Sequence, residues 1–434
     1  MTYNDALDYI NNLDKLHYKP QLARTKILLD KLGNPQKSLK FINITGTNGK
    51  NAIASMLLNI LIKSDYKIGL FSHIDVYNIR EKISINGRII SKNDFTEVIT
   101  LTKKYADMVS KEIESPRKNE VLAAAALLYF CKNNCDIVIL EAGITGRTDP
   151  TNAIDKSSLS IISNIAIDNT DILGNRYYDI AKDKCDIIKE NSFTVSVPNQ
   201  HSEVRDCLNN ICAKRHSPLT IPQLEQLKII RTGLDASEFK YHGISYRLNA
   251  LGRHQILNAM TAIDSAICLD ANTEFNINID AIKAGIESTT IKNQTELINN
   301  DKILVLDSAS NIEGVYSLLN VVQFIIKSIA ERSNKAEWEI SITAIVGMLK
   351  SGDCTNILDV ILPYCKNIIV TKPTHNKALN TKNLSQAVSY YCLNPIVKDN
   401  PIDAYIAAKK TDCDIIICFG SEYMSSEIRT HLKP

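Results

Sequence analysis

The stretch KFINITGTNGK, residues 40–50, carries the strongest structural signal in the 434-residue chain. Residues 40–45 contain Phe41, Ile42 and Ile44, which predicts a strand, and Gly46 and Gly49 then predict a turn. The alanine, leucine and isoleucine residues of 52–62 predict a helix immediately after the turn. A strand, a glycine-containing turn and a helix in this order are typical of the first half of a βαβ unit.

The turn between this strand and this helix is a candidate phosphate-binding loop. It consists of Gly46, Thr47, Asn48, Gly49 and Lys50. Glycines let backbone N–H groups converge on an anion, the helix N-terminus adds partial positive charge, and Lys50 would reach the terminal phosphates of a nucleotide. The loop is an incomplete Walker A motif, because Ile44 replaces its first glycine and Asn51 its metal-binding hydroxyl. A plain strand-to-helix turn with an exposed lysine is the alternative interpretation.

Strand and helix patterns alternate on both sides of this loop. Helices are predicted at 120–130 and 252–269, and strands at 67–72, 136–141, 159–165, 302–307, 339–346, 367–371 and 414–418. Because parallel strands need helical crossovers, this alternation predicts an α/β fold with mostly parallel sheets. Residues 201–249 show mixed strand signals, which predict a peripheral insertion or meander, and the weak pattern at 287–300 predicts a linker. We therefore expect two domains, residues 1–290 and residues 291–434.

The composition is that of a soluble globular protein. Apolar residues make up 44% and charged residues 23%, and the formal net charge is +2, so neither disorder nor a nucleic-acid or membrane partner is expected. The N-terminus lacks a basic segment followed by an apolar one, and no apolar run approaches about 18 residues, which predicts a cytoplasmic protein. The 11 cysteines include no C-x-x-C pair, which favours reduced buried thiols over a zinc site or disulfides.

A series of motifs follows the phosphate loop in an order that is far more specific than any one of them. They are ITGTNGK at 44–50, RE-K-I-x-I-NG at 80–87, LEAGITGRTDPTN at 140–152, ISNIAIDNTDILG at 162–174, IAKDKCDIIK at 180–189, LGRHQILNA at 251–259, LDSASN at 306–311 and VGML at 346–349. With these motifs the chain resembles the folylpolyglutamate synthase/dihydrofolate synthase family of the Mur ligase superfamily. The resemblance extends from about the first helix to Gly420.

The resemblance implies a Mur ligase-like fold and a ligase activity. The fold would have an N-terminal P-loop ATPase domain with a central, mostly parallel sheet and a smaller C-terminal Rossmann-like domain, with the active site in the cleft between them. The family activity uses ATP and Mg²⁺ to phosphorylate a folate or pteroate carboxylate, after which the amino group of glutamate attacks the acyl phosphate. The resemblance also implies a monomer that acts on small-molecule substrates.

Several residues match the family's functional positions. The resemblance assigns Glu141 to metal binding and Lys184 to the lysine that the family carbamylates into a metal-bridging carboxylate. It assigns nucleotide contacts to Arg253, Gln255, Asn258, Asp307 and Asn311, in addition to the phosphate loop. With Lys50 and Lys184, Asp307 also belongs to the candidate catalytic set. The alternative interpretation gives these positions structural roles only. Glu141 would be a solvated acid at a strand end, Lys184 a solvated helical lysine, and the residues at 253–258 a helix cap and a polar helix face.

The departures from the family pattern fall on metal and phosphate positions. The resemblance places Asn51, Ala52 and Ile53 where the family has Gly-Ser-Thr, His73 at a metal-binding serine, Asn169 at a metal-binding histidine, Gln294 at a phosphate-contacting arginine and Ser310 at a further histidine. A shift of one residue would restore a hydroxyl at Ser72. Asp75 could supply a carboxylate and Asn169 a carbonyl oxygen to magnesium, which accepts oxygen ligands and keeps several waters.

These features leave three hypotheses open. The first is an active ATP-dependent folate–glutamate ligase with a rearranged magnesium site, carried by Lys50, Glu141, Lys184 and Asp307. The second is a non-catalytic paralogue that binds nucleotide, a pterin or a partner protein. The third is a ligase with a different acyl or amine substrate, which the altered segment 73–76 allows.

Overall fold

The computed structural model describes residues 1–13, 21–73, 78–299, 301–350, 354–391 and 394–432. Its strands are β1 Phe41–Thr45, β2 Ile68–Phe71, β3 Ile83–Ile85, β4 Arg88–Ile89, β5 Ile137–Glu141, β6 Leu159–Ile162, β7 Phe193–Ser196, β8 Leu219–Thr220, β9 Lys228–Thr232, β10 Ser237–Tyr241, β11 Ile244–Leu248, β12 Glu296–Asn299, β13 Ile303–Leu306, β14 Ile342–Val346, β15 Asn367–Val370, β16 Ile396–Val397 and β17 Ile415–Phe419. The alternation predicts an α/β fold, and the structure confirms it.

The helices account for most of the remaining described chain. They are α1 Tyr3–Leu13, α2 Leu22–Lys31, α3 Lys50–Lys63, α4 Lys92–Glu112, α5 Lys118–Lys132, α6 Thr170–Leu173, α7 Tyr177–Lys184, α8 Ser202–Lys214, α9 Arg253–Asn272, α10 Ile279–Ser288, α11 Ile312–Ser333, α12 Cys354–Ile361, α13 Thr381–Val388, α14 Pro401–Lys410 and α15 Glu422–His431. The chain forms two compact units: 1–165, 175–225 and 257–289 make the first, and 166–174, 226–256 and 290–434 make the second.

The first unit is built on an eight-stranded sheet with the order β4-β3-β2-β5-β1-β6-β7-β8. β1 lies in the interior, parallel to β5 and β6, and all five of its residues are buried. Helices cover both faces: α4 and α5 contribute to one apolar core, and α10 approaches α3 so closely that Gly285 contacts the backbone of Ile60. Burial on both faces explains the apolar run Ile137–Leu140 in β5, whereas β1 also buries the polar Asn43 and Thr45.

The carboxyl ends of the parallel strands bring functional positions to one edge of this sheet. Thr45 ends β1, Phe71 ends β2 and Glu141 ends β5. Because β3 runs antiparallel to β2 and pairs Ile83 with Phe71, the start of β3 lies at the same edge. Ligand sites of open α/β sheets occur at this edge, so the sheet topology places the phosphate loop beside Glu141 and the segments that border β2 and β3.

The second unit contains a six-stranded sheet with the order β12-β13-β17-β14-β15-β16, parallel except for β12. Apolar residues of α11 and α12 pack on one face, and residues of α14 and α15 pack on the other, which makes a three-layer Rossmann-like unit. Among the described residues, α11 alone is long and apolar enough to cross a membrane. Its residues Val315, Leu318 and Val322 lie in the core of this unit, as those of a core helix do.

Two sequence-based expectations need correction. Residues 201–249 are not one meander: 202–214 form helix α8, β8 extends the main sheet, and only β9–β11 make an antiparallel three-stranded meander. The expected linker at 287–300 contains β12, which pairs antiparallel with β13 at the edge of its sheet. Both errors have the same cause, because α8 carries many polar residues and β12 is a short edge strand, so neither shows a strong apolar period.

Candidate active site

The phosphate loop has a backbone that only glycine adopts easily. Gly46 and Gly49 have φ values of 145° and 88°, and Gly49 precedes the first residue of α3. A Cβ atom at Gly49 would lie 2.6 Å from Oδ1 of Asn258, and one at Gly46 would collide with Oγ of Ser163. The two glycines therefore permit both the left-handed conformation and the close packing of neighbouring polar side chains against the loop.

Asn164 anchors the middle of the loop. Its carbonyl oxygen accepts hydrogen bonds from the backbone N–H groups of Thr47 and Asn48, at 2.6 and 3.1 Å, and its side chain accepts from the Asn48 amide at 3.2 Å. The first N–H groups of α3 have no acceptor within the helix, as at every helix N-terminus, and its dipole places positive charge there. The loop is thus held from the side of β6, with a helix N-terminus next to it.

Lys50 folds back over its own loop. Its Nζ donates to the carbonyl oxygens of Gly46 and Thr47, at 3.0 and 3.2 Å. The ammonium group therefore lies on the loop itself, where an anion bound at the start of α3 would meet it. Residues 46–49 form the turn between β1 and α3, Lys50 begins the helix, and Ala52, in place of a serine, is completely buried in α3.

Lys184 joins the same loop to the segment after β5. It is only 3% exposed, and its Nζ donates to the carbonyl oxygens of Gly46 at 3.0 Å and Ile144 at 2.8 Å. The preceding residue, Asp183, accepts a 2.7 Å hydrogen bond from the N–H group of Gly146. Burying an ammonium group is costly unless acceptors replace its water. Lys184 therefore acts here as a cation that bridges two carbonyl oxygens.

Glu141 receives the hydroxyl that the one-residue shift predicts. It ends β5 and is 2% exposed, and its Oε2 accepts a 2.9 Å hydrogen bond from Oγ of Ser72. Burial raises the pKa of this carboxyl, whereas the charges of Lys50 and Lys82 and the bonds from Ser72 and the His73 backbone oppose that rise. A carboxylate and a hydroxyl thus meet at the predicted metal position.

His73 and Asp149 lie near this carboxylate, against Gly143. A Cβ atom at Gly143 would be 2.7 Å from Nδ1 of His73 and 3.1 Å from Oδ2 of Asp149. Burial, reinforced by the charges of nearby lysines, lowers the pKa of His73 to about 3, so its imidazole is neutral. Asp149 accepts hydrogen bonds from the N–H groups of Gly143 and Thr151, both at 2.9 Å. The sequence prediction missed Asp149, although it lies within LEAGITGRTDPTN.

Asp307 is the centre of the predicted cluster in the second unit. Its carboxylate accepts hydrogen bonds from the N–H groups of Thr295 at 2.7 Å and Ala309 at 2.6 Å. Burial raises the pKa of Asp307 from 3.8 to about 7 in spite of these bonds. Asn311 accepts from the N–H group of Gly314 at 2.9 Å and caps α11. Both residues therefore shape the backbone around the end of β13.

Gln294 lies between two strained positions beside Asp307. Asn293 and Thr295 have φ values of 55° and 51°, a conformation that is unfavourable for a β-branched residue. Thr295 is held there by Asp307 and by a 3.1 Å hydrogen bond from its hydroxyl to the carbonyl of Leu251. Oε1 of Gln294 lies 3.5 Å from Nε2 of Gln255. The structure thus brings Gln255, Gln294 and Asp307 into one polar cluster.

The remaining predicted residues differ in their burial and in the unit to which they belong. Arg253 is exposed in the second unit, whereas Asn258 is buried against Gly49 in the first. Asn169 has a left-handed backbone, with φ of 50°, and directly precedes the short helix α6 in the second unit, without a capping hydrogen bond from its side chain. Ser310 is half-buried after β13. Asp75 lies outside the described residues.

The donor atoms near Glu141 suit a magnesium ion that also binds phosphate. The described part of the chain holds no group of three or more histidine, cysteine, aspartate or glutamate side chains that could hold a metal by themselves. Glu141 and Ser72 nevertheless offer a carboxylate and a hydroxyl, the hard oxygen ligands that Mg²⁺ prefers. Mg²⁺ is commonly held by one or two protein ligands together with waters and substrate phosphates.

Comparison with known proteins identifies the family of the chain. Residues 44–266 match the family model described as the Mur ligase middle domain. The chain is 29% identical over 443 aligned residues to the dihydrofolate synthase/folylpolyglutamate synthase of Bacillus subtilis, which covers 99% of both chains. It is 24% identical to the folylpolyglutamate synthase of Lacticaseibacillus casei, covering 100% of this chain and 99% of the relative.

Solved structures show the same fold. The folylpolyglutamate synthase of Thermotoga maritima is 27% identical, with a TM-score of 0.81, and the match covers 99% of this chain and 96% of that one. The Mycobacterium tuberculosis folylpolyglutamate synthase, complexed with ADP and AMPPCP, is 23% identical, with a TM-score of 0.87, and the match covers 100% and 99% of the two chains. At 23% identity the second likeness supports the fold alone.

Proposed function

The chain belongs to the Mur ligase family, and we propose that it is an ATP-dependent ligase that joins glutamate to the carboxylate of a folate or pteroate. The observation that carries the proposal is the arrangement of Lys50, Lys184 and Glu141 around one glycine loop. The full-length likeness to dihydrofolate synthase/folylpolyglutamate synthases supports the substrate class. The glycine loop, with Lys50 at the N-terminus of α3, supports a nucleoside triphosphate such as ATP as the phosphate donor.

The first chemical step would be transfer of the terminal phosphoryl group of ATP to the substrate carboxylate, with release of ADP. The N-terminus of α3 would bind the phosphates, and the ammonium group of Lys50 would stabilise the negative charge on the phosphoryl group during transfer. Lys184 would hold the loop in its binding conformation through the carbonyl oxygens of Gly46 and Ile144. Little covalent chemistry is required of the protein, because phosphoryl transfer depends mainly on positioning and electrostatic stabilisation.

We assign the metal position to Glu141 and Ser72, which would hold Mg²⁺ together with nucleotide phosphates. When bound, Mg²⁺ would neutralise charge on the phosphates during transfer. As an ammonium group, Lys184 holds the loop through its two donor bonds. Carbamylation, which the family resemblance implies, would leave one N–H on Nζ and add a carboxylate beside the proposed metal position.

The second step would be attack of the neutral amino group of glutamate on the carbonyl carbon of the acyl phosphate, which forms the amide and releases phosphate. We propose that Asp307 shapes the second unit for this reaction by holding Thr295 and thereby Gln294. Arg253, Gln255, Asn258 and Asn311 remain the proposed nucleotide contacts. We expect the ligase to act as a monomer in the cytoplasm.

Product formation measured by mass spectrometry tests the proposal. Purified protein is given MgATP, glutamate and either dihydropteroate or tetrahydrofolate, and a known synthase serves as the positive control. We expect a glutamylated product and a loss of about 100-fold or more in Lys50→Met, because a donor aimed at developing charge contributes on that order. Lys63→Met, at the exposed opposite end of α3, is the matched control and should retain full activity.

Absence of product in a buffer that supports the known synthase would contradict the proposal. Binding of MgATP then separates the other two hypotheses. Tight binding without product would favour a ligase for a different substrate, whereas no binding would favour a non-catalytic paralogue.

A further inference from the structure

Lys82 is a buried lysine whose surroundings point to a role at the candidate metal position. It is the last residue of a short 3₁₀ helix, Ile79–Lys82, directly before β3, and it is 3% exposed. Lysine is rarely buried to this extent unless its ammonium group meets polar partners. The motif RE-K-I-x-I-NG contains this lysine, and the proposed reaction has so far given it no role.

Lys82 contacts the backbone of two successive residues after β2. Its backbone carbonyl accepts a 2.9 Å hydrogen bond from the N–H group of Ser72. Its Nζ donates to the carbonyl oxygen of His73. One residue thus holds the Ser72–His73 turn through both its backbone and its side chain, from the neighbouring antiparallel strand.

The same turn provides hydrogen bonds to Glu141. Oγ of Ser72 donates to Oε2 of Glu141 at 2.9 Å, and the backbone of His73 also donates to this carboxylate. A displacement of the turn would therefore alter both the hydroxyl ligand and the orientation of the carboxylate. A buried carboxylate that loses its donors is poorly compensated, so the position of the turn matters for the whole site.

We propose that Lys82 is a positioning residue, which clamps the Ser72–His73 turn so that Ser72 and Glu141 are oriented to bind a divalent cation with nucleotide. The inference rests on the proposed function for the identity of the site, but not for the geometry of the clamp. Lys82 acts through the turn and its charge, not by contact with the reacting atoms.

The experiment compares Lys82→Met, Lys82→Arg and a matched control, Lys67→Met, in the full chain. Lys67 lies at the opposite end of β2, is exposed, and also donates from Nζ to a backbone carbonyl, that of Asn133. Mn²⁺ is the probe, because it accepts the same oxygen ligands as Mg²⁺ and its binding is measured directly by electron paramagnetic resonance in the presence of ADP. Steady-state kinetics and thermal unfolding are measured on the same samples.

We expect Lys82→Met to weaken Mn²⁺ binding and to lower kcat by about tenfold or more, the size expected when a charge-assisted hydrogen bond is lost. Lys82→Arg should recover part of both, and Lys67→Met should match the wild type in both. If Lys82→Met does not fold, Lys82→Gln, which keeps a donor but not the charge, takes its place with the same expectations.

Unchanged Mn²⁺ affinity in folded Lys82→Met would overturn the inference, even if the variant melts at a lower temperature. An equal loss in Lys67→Met, or a wild type that binds no Mn²⁺, would do the same. A wild type that binds Mn²⁺ but forms no glutamylated product would refute the proposed function and leave the comparison of Mn²⁺ affinities valid.

Discussion

The two polar clusters of this protein differ in the charge of their side chains. At the sheet edge of the first unit, the ammonium groups of Lys50 and Lys184 donate to backbone carbonyl oxygens, and Glu141 lies nearby. In the second unit, Gln255 and Gln294 are neutral, and the carboxylate of Asp307 accepts from backbone N–H groups. Fixed positive charge is concentrated in the first cluster, which suits the binding of phosphates.

This difference in charge suggests that phosphate binding is well supported and that stabilisation of the transferring phosphoryl group is not. Positive charge aimed at a transferring phosphate lowers the barrier most when it is held rigidly before the reaction. The first cluster provides such charge, whereas the second contains an amide where the family resemblance places an arginine. We therefore expect the phosphate loop to bind nucleotide, and a charge added at Gln294 tests what the missing arginine would contribute.

Removing the charge of Lys184 should have the largest effect. We expect Lys184→Met to lower kcat by about 100-fold, because the clamp between Gly46 and Ile144 is lost and an electrostatic contribution goes with it. Kinetics with MgATP measure the loss, and Lys182→Met, an exposed lysine on the same helix, should behave as wild type. The same assay with and without added bicarbonate tests carbamylation. Stimulation of the wild type that Lys184→Met lacks would show that Lys184 works as a carbamate.

Adding charge to the second cluster should have a smaller and opposite effect. We expect Gln294→Arg to raise kcat by about tenfold, a fraction of the roughly 10³-fold that an arginine on a transferring phosphate can contribute. Gln294→Leu, which adds no charge, serves as the control and should not increase kcat. A rate for the arginine variant equal to or below that of the wild type would mean that Gln294 does not face the phosphate.

The smallest effect should come from the titration of Asp307. The folded protein keeps the proton up to about pH 7, whereas the unfolded chain releases it near the ordinary carboxyl pKa of 3.8. The folded state therefore binds more protons between these values, so this group makes stability fall as pH rises from about 4 to about 7. Relative to Asp307→Asn, the wild-type Tm should drop by about a few degrees over this window.

Thermal unfolding of wild type and variants at the two ends of the window checks the expectation for Asp307. The control is Asp301→Asn, an exposed aspartate in the same unit, which should keep the wild-type pH dependence. A Tm difference between wild type and Asp307→Asn that does not change with pH would contradict the raised pKa.

The sequence predicted the parts of the site that depend on local pattern. The strand before Gly46, the glycine turn and the helix after Lys50 can all be recognised from neighbouring residues, because apolar period and glycine conformation act over a few positions. The strand that ends at Glu141 is predicted for the same reason. The polar helix α8 and the short strand β12 were missed, since their formation depends on packing against the rest of each unit.

The tertiary structure alone decided how these residues act together. The sequence alone determined an α/β chain of the Mur ligase type, with a phosphate loop and a strand-end glutamate. Three features depend on residues between 9 and 138 positions apart. They are the carbonyl oxygens that accept from Lys184, the hydroxyl that donates to Glu141 and the burial of Lys82. The raised pKa of Asp307 likewise depends on burial. Such contacts arise because the sheet brings strand ends together, and desolvation then sets the charge that each group carries.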